Sequence, residues 1–138
     1  NVTVHTRVCS EWVPLVEAGE LDSAQARAAV RRDLAPLLAA GVDELVLGCT
    51  HYPFLRPLIQ EVAGPAVEII DPAPAVARQT GRVLARLGWL VQPAGAPGHR
   101  FFTTGDPAAF GRALEQLLGL RLRAERAMWG SEGALYPK

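Results

Sequence analysis

A cysteine, a threonine and a histidine stand side by side at positions 49 to 51, directly after a short apolar run. The run, residues 44–48, has the sequence ELVLG, which is typical of a buried parallel strand that ends in a turn. Open α/β sheets bind their ligands at the carboxyl ends of strands, so Cys49 falls where a site is expected. We expect Cys49 to be a reactive thiol, Thr50 a donor to an anionic ligand, and His51 a group that tunes or assists the thiol.

A proline at position 53 favours the first turn of a helix, which is predicted to run to Gly64. The N–H groups and dipole at the start of such a helix favour a thiolate and would lower the cysteine pKa below its usual value of about 8.5. The same N–H groups can hold a carboxylate. The residues alone leave two interpretations open: a reactive cysteine beside an anion site, and a structural cysteine buried at a tight turn.

The surrounding elements follow from apolar periodicity. Residues 2–8 alternate with a period of two and predict a strand that ends near Cys9. The other predicted elements are a helical turn at 12–17, a strand at 67–70, a helix at 74–88, a linker at 92–98, a strand at 100–104 and a helix from Asp106 and Pro107 to about Gly119. This order of strands and helices predicts an α/β fold, with a mainly parallel sheet and flanking helices.

Residues 24–40 are rich in alanine, leucine and arginine and predict a long helix. Asp22 or Ser23 can cap its start, with Gln25 in the capping-box position relative to Asp22. Pro36 lies inside the run, so we expect a kink or a break into two pieces there.

Composition and charge exclude several classes of protein. Fourteen basic and fourteen acidic residues cancel, so no net charge draws the chain to nucleic acid or to an anionic membrane. No apolar run approaches the roughly 18–20 residues that cross a bilayer. Residues 1–5 have neither the positive nor the apolar region of a signal peptide, and the chain is expected to begin in mid-fold.

The thiols and imidazoles do not form a metal-binding pattern. The two cysteines and three histidines are scattered, and none of them cluster at ligand spacing. Two cysteines are also too few for a disulfide framework, so a reduced cytoplasmic setting is expected. We therefore expect no metal site.

Three segments resemble motifs of glutamate racemases. Residues 48–53, GCTHYP, look like the second catalytic motif of that family. Residues 9–17, CSEWVPLVE, resemble its CPxFVPLVE segment, and residues 101–107, FFTTGDP, resemble its late FxTTGDP segment. Related aspartate racemases usually carry glutamate rather than His-Tyr after the Cys-Thr pair, so Thr50 and His51 favour the glutamate branch.

The resemblance implies a cofactor-free racemisation of glutamate by two bases, without pyridoxal phosphate. One thiolate removes the Cα proton while a thiol on the opposite face delivers another. By motif position Cys49 is one of the two acid/bases, Thr50 and His51 contact the substrate, and Glu17 is a carboxylate near the site. The resemblance also implies that the product D-glutamate supplies bacterial peptidoglycan, and that the full-length protein can form a homodimer.

The family's first half carries an Asp-Ser-Gly motif and an Asn-Thr pair beside the partner cysteine, and neither occurs in this sequence. The resemblance therefore implies that an N-terminal half is missing. It divides the chain into a partial second domain at 1–70, a return segment at 71–119 that packs on the missing first domain, and a tail of unknown structure at 120–138. Apolar residues of the return segment are expected to be exposed. Cys9 belongs to the same half as Cys49 and is not expected to face it across a substrate.

Two other functions remain open. One is a thiol-dependent hydrolase or transferase with Cys49 as nucleophile and His51 as its base, against which the sequence shows no third orienting group. The other is a truncated racemase half that is not catalytic and acts only as a binding module.

Overall fold

The computed structural model describes residues 1–91 and 98–137. The chain divides into two compact units, Asn1–Leu90 and Val91–Lys138. Most of the predicted linker 92–98 lies outside the described residues. Within the described ranges, no helix is both long enough and apolar enough to cross a membrane.

The first unit is an α/β structure with parallel strands, as predicted. Its strands are β1, Glu44–Val46, and β2, Glu68–Ile70, which pair in parallel with Leu45 opposite Ile69. Its helical elements are α1, Trp12–Glu17; α2, Ala24–Ala39; a 3-10 turn, Tyr52–Leu55; α3, Arg56–Ala63; and α4, Ala73–Arg86. The 3-10 turn and α3 connect the two strands, as parallel pairing requires.

Helix α2 begins at the predicted residue, Ala24, and ends at Ala39, one residue before the predicted end. The Ser23 side chain caps it by accepting from the Ala26 N–H at 3.1 Å, and Gly41 follows it with a φ of +75°. The alternative cap, a capping box of Asp22 and Gln25, does not form, because the N-cap residue is Ser23. The predicted break at Pro36 is wrong, since the helix runs through it unbroken. The ring removes one N–H donor, but the Pro36 carbonyl still accepts from the Ala40 N–H at 3.2 Å.

The core of this unit lies on one face of the β1–β2 sheet. Leu45, Leu47, Val67 and Ile69 are buried on that face, whereas Val46, on the opposite face, is 64% exposed. The parallel strand predicted at 44–48 is present as β1, but among the described residues it is buried on one face only. The uncovered face also presents the carboxylates of the paired residues Glu44 and Glu68.

The predicted strand at 2–8 is absent. In residues 1–91 no strand pairs with this segment, and Val2, Val4 and Val8 are exposed. An alternating sequence forms a strand only where a sheet edge offers partners for its backbone N–H and C=O groups. Near its end the segment is anchored by a side chain, because the Arg7 guanidinium donates to the buried Asp33 carboxylate of α2 at 2.8 Å.

Helix α4 has an apolar face that the described structure leaves uncovered. It contains no buried residue, Val76 is 61% exposed, and Leu87, the residue that follows the helix, is 49% exposed. Three arginines, Arg78, Arg82 and Arg86, recur every four residues and so form a separate charged stripe. The expectation of exposed apolar side chains after Asp71 is confirmed for this helix.

The second unit combines one helix with a small mixed sheet. Its elements are β3, Phe101–Thr103; α5, Pro107–Leu118; β4, Ala124–Trp129; and β5, Leu135–Pro137. β3 pairs with β4 in parallel and β4 pairs with β5 in an antiparallel hairpin. The Asp106 side chain caps α5 as expected, accepting from the N–H groups of Ala108 and Ala109 at 3.1 Å. Among the apolar residues expected to be exposed, Leu114 is buried in this unit.

Candidate active site

Cys49 lies beyond the carboxyl end of β1. The Leu47 N–H still donates to the Ile70 carbonyl at 2.9 Å, and the chain then bends at Cys49 and turns at Thr50 and His51. The Cys49 thiol is free and its side chain is half-buried. A Cβ built on Gly48 would meet no atom within 4 Å, and the φ of Gly48 is not positive. Gly48 is therefore not required by close packing among the described residues, and the space beside Gly48 is open.

The helix predicted from Pro53 to Gly64 begins with a 3-10 turn, and its α-helical part, α3, ends at Ala63, directly before Gly64. The Tyr52 N–H donates to the Cys49 carbonyl at 3.2 Å and the Phe54 N–H donates to the His51 carbonyl at 3.1 Å. Helix α3 begins only at Arg56. The four-residue turn is too short to build the dipole expected of an α-helix directly after the thiol, so that part of the sequence argument does not hold.

Three side chains form a row of contacts at this turn. The Cys49 Sγ lies 3.9 Å from the His51 Nδ1, and the His51 Nε2 lies 3.4 Å from a Glu17 carboxylate oxygen. The carboxylate at this distance favours the tautomer that carries its proton on Nε2, and in that tautomer the Nδ1 of a neutral His51 faces the thiol as an acceptor. The row can therefore take a proton from the thiol or return one to it.

Glu17 reaches the row from α1. The apolar residues Trp12, Leu15 and Val16 are buried, and this burial leaves Glu17 on the open side of the helix. The sequence placed Glu17 near the site only through the resemblance, and the contact with His51 joins residues that are far apart in the chain. A cysteine hydrolase needs a third group that orients the histidine, and none was evident in the sequence. Glu17 can take that role.

The Thr50 side chain is exposed on the same turn, where it can reach a ligand beside Cys49. The structure thus brings the predicted residues Cys49, Thr50, His51 and Glu17 to one turn and one helix end of the first unit. In residues 1–91 and 98–137 there is no group of three or more His, Cys, Asp or Glu side chains that could hold a metal ion.

Cys9 lies beneath this site and is not part of the row. It is 5% exposed, and its thiol points to the Arg7 carbonyl at 3.9 Å. Burial raises the pKa of the Cys9 thiol, as does the nearby Asp33 carboxylate, while the Tyr52 hydroxyl and the Arg7 guanidinium lower it. Cys9 therefore stays protonated at neutral pH and cannot meet a substrate without a local opening.

Two further aromatic residues of the site were not singled out by sequence reasoning. The Tyr52 hydroxyl donates to the Cys9 carbonyl at 3.3 Å, and its ring meets the edge of Trp12 with centroids 4.8 Å apart. The Trp12 Nε1 is buried and has no hydrogen-bond partner among the described residues. Both residues lie inside the quoted motifs, but only the packing shows that the two motifs touch through them.

The sequence matches a family model and resembles curated proteins of known name. The sequence model described as Asp/Glu/Hydantoin racemase matches residues 2–80. A protein of Herpetosiphon aurantiacus named glutamate racemase is 51% identical over 112 residues, which are 81% of this chain and 44% of that protein. The chain thus spans less than half the length of this curated relative.

Solved structures give the same result. A glutamate racemase isoform of Bacillus anthracis is 34% identical, with a TM-score of 0.83 over 91% of this chain and 47% of that one. The glutamate racemase of Thermus thermophilus, solved in complex with β-chloro-D-alanine, is 35% identical, with a TM-score of 0.74 over 93% of this chain and 48% of that one.

Proposed function

Because the chain belongs to the Asp/Glu/hydantoin racemase family, we propose that it supplies one of the two acid/bases of a glutamate racemase. The observation that carries the proposal is the row of contacts from the Cys49 Sγ through His51 to Glu17, beside open space at the end of β1. The relative from Herpetosiphon aurantiacus and both similar solved structures are named glutamate racemases, which supports L- and D-glutamate as the substrates.

In the proposed reaction, the Cys49 thiolate takes the Cα proton of one enantiomer. The electron pair of the broken C–H bond is delocalised into the substrate carboxylate, and an acid on the opposite face protonates Cα to give the other enantiomer. In the reverse direction the Cys49 thiol gives its proton. Two groups on opposite faces are needed, because a single base tends to return the proton to the face it came from.

The neighbouring residues have separate proposed roles. His51 holds the thiol proton through Nδ1 and sets the thiol direction, while Glu17 fixes the imidazole through Nε2. Thr50, exposed on the same turn, donates to the substrate. The chemistry calls on no cofactor, so dialysis against a chelator and omission of pyridoxal phosphate should both leave the rate unchanged.

The second acid/base is proposed to come from an N-terminal half outside this chain. Cys9 is a poor candidate because it is 5% exposed and burial raises its pKa. Residues 1–70 would then be a partial second domain, and 71–119 a return segment whose helix α4 lays its apolar face on the first domain. As the proposed source of D-glutamate for peptidoglycan, the enzyme would act in the cytoplasm, and a homodimer is a possible assembly.

The test uses the full-length protein that contains this segment. Cys49→Ser should lower racemisation by at least about a hundredfold, since a hydroxyl is a far weaker acid/base than a thiol at neutral pH. Cys9→Ser makes the same change at the buried thiol and should retain most of the activity at a temperature where it stays folded. Polarimetry with L- and D-glutamate measures both. Racemisation by Cys49→Ser close to that of the wild type would remove Cys49 from the mechanism.

A second candidate function is favoured by the same contacts. A thiol, an imidazole and a carboxylate in series also form the arrangement of a cysteine hydrolase, with Cys49 as nucleophile. In that case an activated ester should leave its acyl group on the Cys49 Sγ with release of the alcohol, and mass spectrometry would detect the adduct. The racemase proposal expects no stable adduct and an exchange of the Cα hydrogen of glutamate with solvent deuterium.

A further inference from the structure

The side chain of Tyr52 joins the turn that carries Cys49 to the beginning of α1. Its hydroxyl donates to the Cys9 carbonyl at 3.3 Å, three residues before the helix. Its ring lies against Trp12, the first residue of α1, with an interplanar angle of 63°. The tyrosine is half-buried in this contact, so the hydroxyl bond is shielded from much of the solvent.

The backbone of the same residue closes the turn. The Tyr52 N–H donates to the Cys49 carbonyl at 3.2 Å, so Tyr52 holds the Cys49 peptide on one side and the start of α1 on the other. His51, its neighbour, contacts Glu17 at the opposite end of α1. We term residues 49–52 the Cys49 loop. Two consecutive residues of this loop, His51 and Tyr52, therefore contact the two ends of one short helix, α1.

From this arrangement we infer that Tyr52 is a positioning residue for the proposed proton transfer. Its hydroxyl fixes the Cys49 loop relative to α1, and thereby sets the contacts of His51 with Cys49 and with Glu17. The inference rests on the proposed racemase function and adds a residue to it. Tyr52 acts through the loop and touches no reacting atom.

Tyr52 is not an acid/base in this scheme. Burial raises the pKa of its phenol, and the nearby Cys9 thiol adds to the effect, so the hydroxyl keeps its proton at neutral pH. The hydroxyl donates its hydrogen bond to the Cys9 carbonyl. Because the acceptor is a backbone atom, the bond can be removed from the tyrosine side alone, and Tyr52→Phe does this while it keeps the ring against Trp12.

Hydrogen exchange on the full-length protein that contains this segment tests the first step. In Tyr52→Phe, the amides of residues 52 and 54, which close the loop, should exchange about threefold to tenfold faster, the equivalent of one neutral hydrogen bond. The Gly64 amide, bonded to the Gln60 carbonyl at the end of α3, should be unchanged. Tyr136→Phe makes the same change at an exposed tyrosine of the second unit and should leave the loop amides as they are.

Kinetics of the full-length protein test the second step. Tyr52→Phe should lower kcat for glutamate by about threefold to tenfold and change KM by less than about twofold. Thr50 lies on the same loop, but proton transfer depends more steeply on the alignment of Cys49 and His51 than substrate binding depends on one exposed side chain. Unchanged loop exchange would overturn the inference, and so would faster exchange with a wild-type kcat, which would make Tyr52 a purely structural residue. A wild-type protein without racemisation would instead overturn the proposed function, so the two failures are distinguishable.

Discussion

Two substitutions in the Arg7–Asp33 ion pair should shift the pKa of Cys9 in opposite directions. Asp33 is buried in α2 with 5% of its side chain exposed, and it accepts from Arg7 at 2.8 Å. The carboxylate raises the pKa of the Cys9 thiol and the guanidinium lowers it. Asp33→Asn removes the negative charge at nearly constant shape and should bring the Cys9 pKa down. Arg7→Met removes the positive charge at similar length and should raise that pKa further.

The same two variants should also differ in stability. A hydrogen bond to a charged group contributes about 1.5–3 kcal/mol, and solvent screening reduces this because 42% of the Arg7 side chain is exposed. We expect Asp33→Asn to lower the free energy of unfolding by about 1–2 kcal/mol. Arg7→Met leaves a buried carboxylate without its main partner and should cost about 2–3 kcal/mol. The cost stays below that of a fully unpaired charge, since the Arg32 guanidinium remains 3.8 Å from Asp33.

Urea unfolding gives the free energies, and the pKa follows from NMR titration of ¹³Cβ-labelled cysteine, which resolves Cys9 from Cys49. Val2→Met is a matched control for Arg7→Met, because Val2 lies on the same segment and is 90% exposed. It should change neither quantity. A shift of the Cys9 pKa in the same direction by both variants, or a smaller cost for Arg7→Met than for Asp33→Asn, would refute the assignment of charges around this thiol.

Three further predictions concern the same core and the exposed helix. Because burial raises the pKa of Cys9, the folded state holds the thiol proton longer than the unfolded state, so the free energy of unfolding should fall as pH rises above the ordinary thiol pKa of about 8.5. Cys9→Ala should flatten this fall in urea titrations between about pH 7 and 10. Trp12→Phe removes a buried N–H donor that has no partner in the described structure, which should raise the free energy of unfolding by about 1–3 kcal/mol. The smaller ring leaves a cavity that lowers it again, so the free energy of unfolding should lie within about 1 kcal/mol of the wild type. A loss above about 3 kcal/mol would contradict the unpaired donor. The 138-residue chain alone should not racemise glutamate and should self-associate in size-exclusion chromatography, because Val76 on α4 and Leu87 directly after it are exposed. A monomer that racemises glutamate would contradict both parts.

The sequence predicted most of the first unit because its elements carry local signals. Ser23 before an alanine-rich run, Gly41 after it, and the apolar pairs around Leu45 and Ile69 identify α2, β1 and β2 without knowledge of the fold. The resemblance of the segments around Cys49 to one family is confirmed by the match over residues 2–80. Local signals are sufficient wherever a residue's role depends on its neighbours along the chain.

The failures involve contacts that the local sequence does not encode. Residues 2–8 alternate as a strand does, but alternation does not provide the neighbouring strand. The strand at 124–129 was missed because Glu125 and Arg126 interrupt its apolar pattern, and the strand at 135–137 because its three residues are too few to show a pattern. Glu125 accepts two hydrogen bonds from Arg100 at 2.9 and 2.7 Å across the sheet. The contact between Glu17 and His51 likewise exists only in the folded unit.

The candidate site takes its geometry from the core more than from its own hydrogen bonds. Helix α1 has six residues, far fewer than an isolated helix needs to be stable in water, so its position depends on the buried Trp12, Leu15 and Val16. Glu17 is exposed and would be mobile on its own, yet it extends from this packed helix toward His51. Tyr52 packs against the same Trp12 and so ties the Cys49 loop to the same core. Under the proposed function, this apolar contact between two motifs would determine where the proton path forms, and the residues that align the thiol would include side chains with no acid/base chemistry of their own.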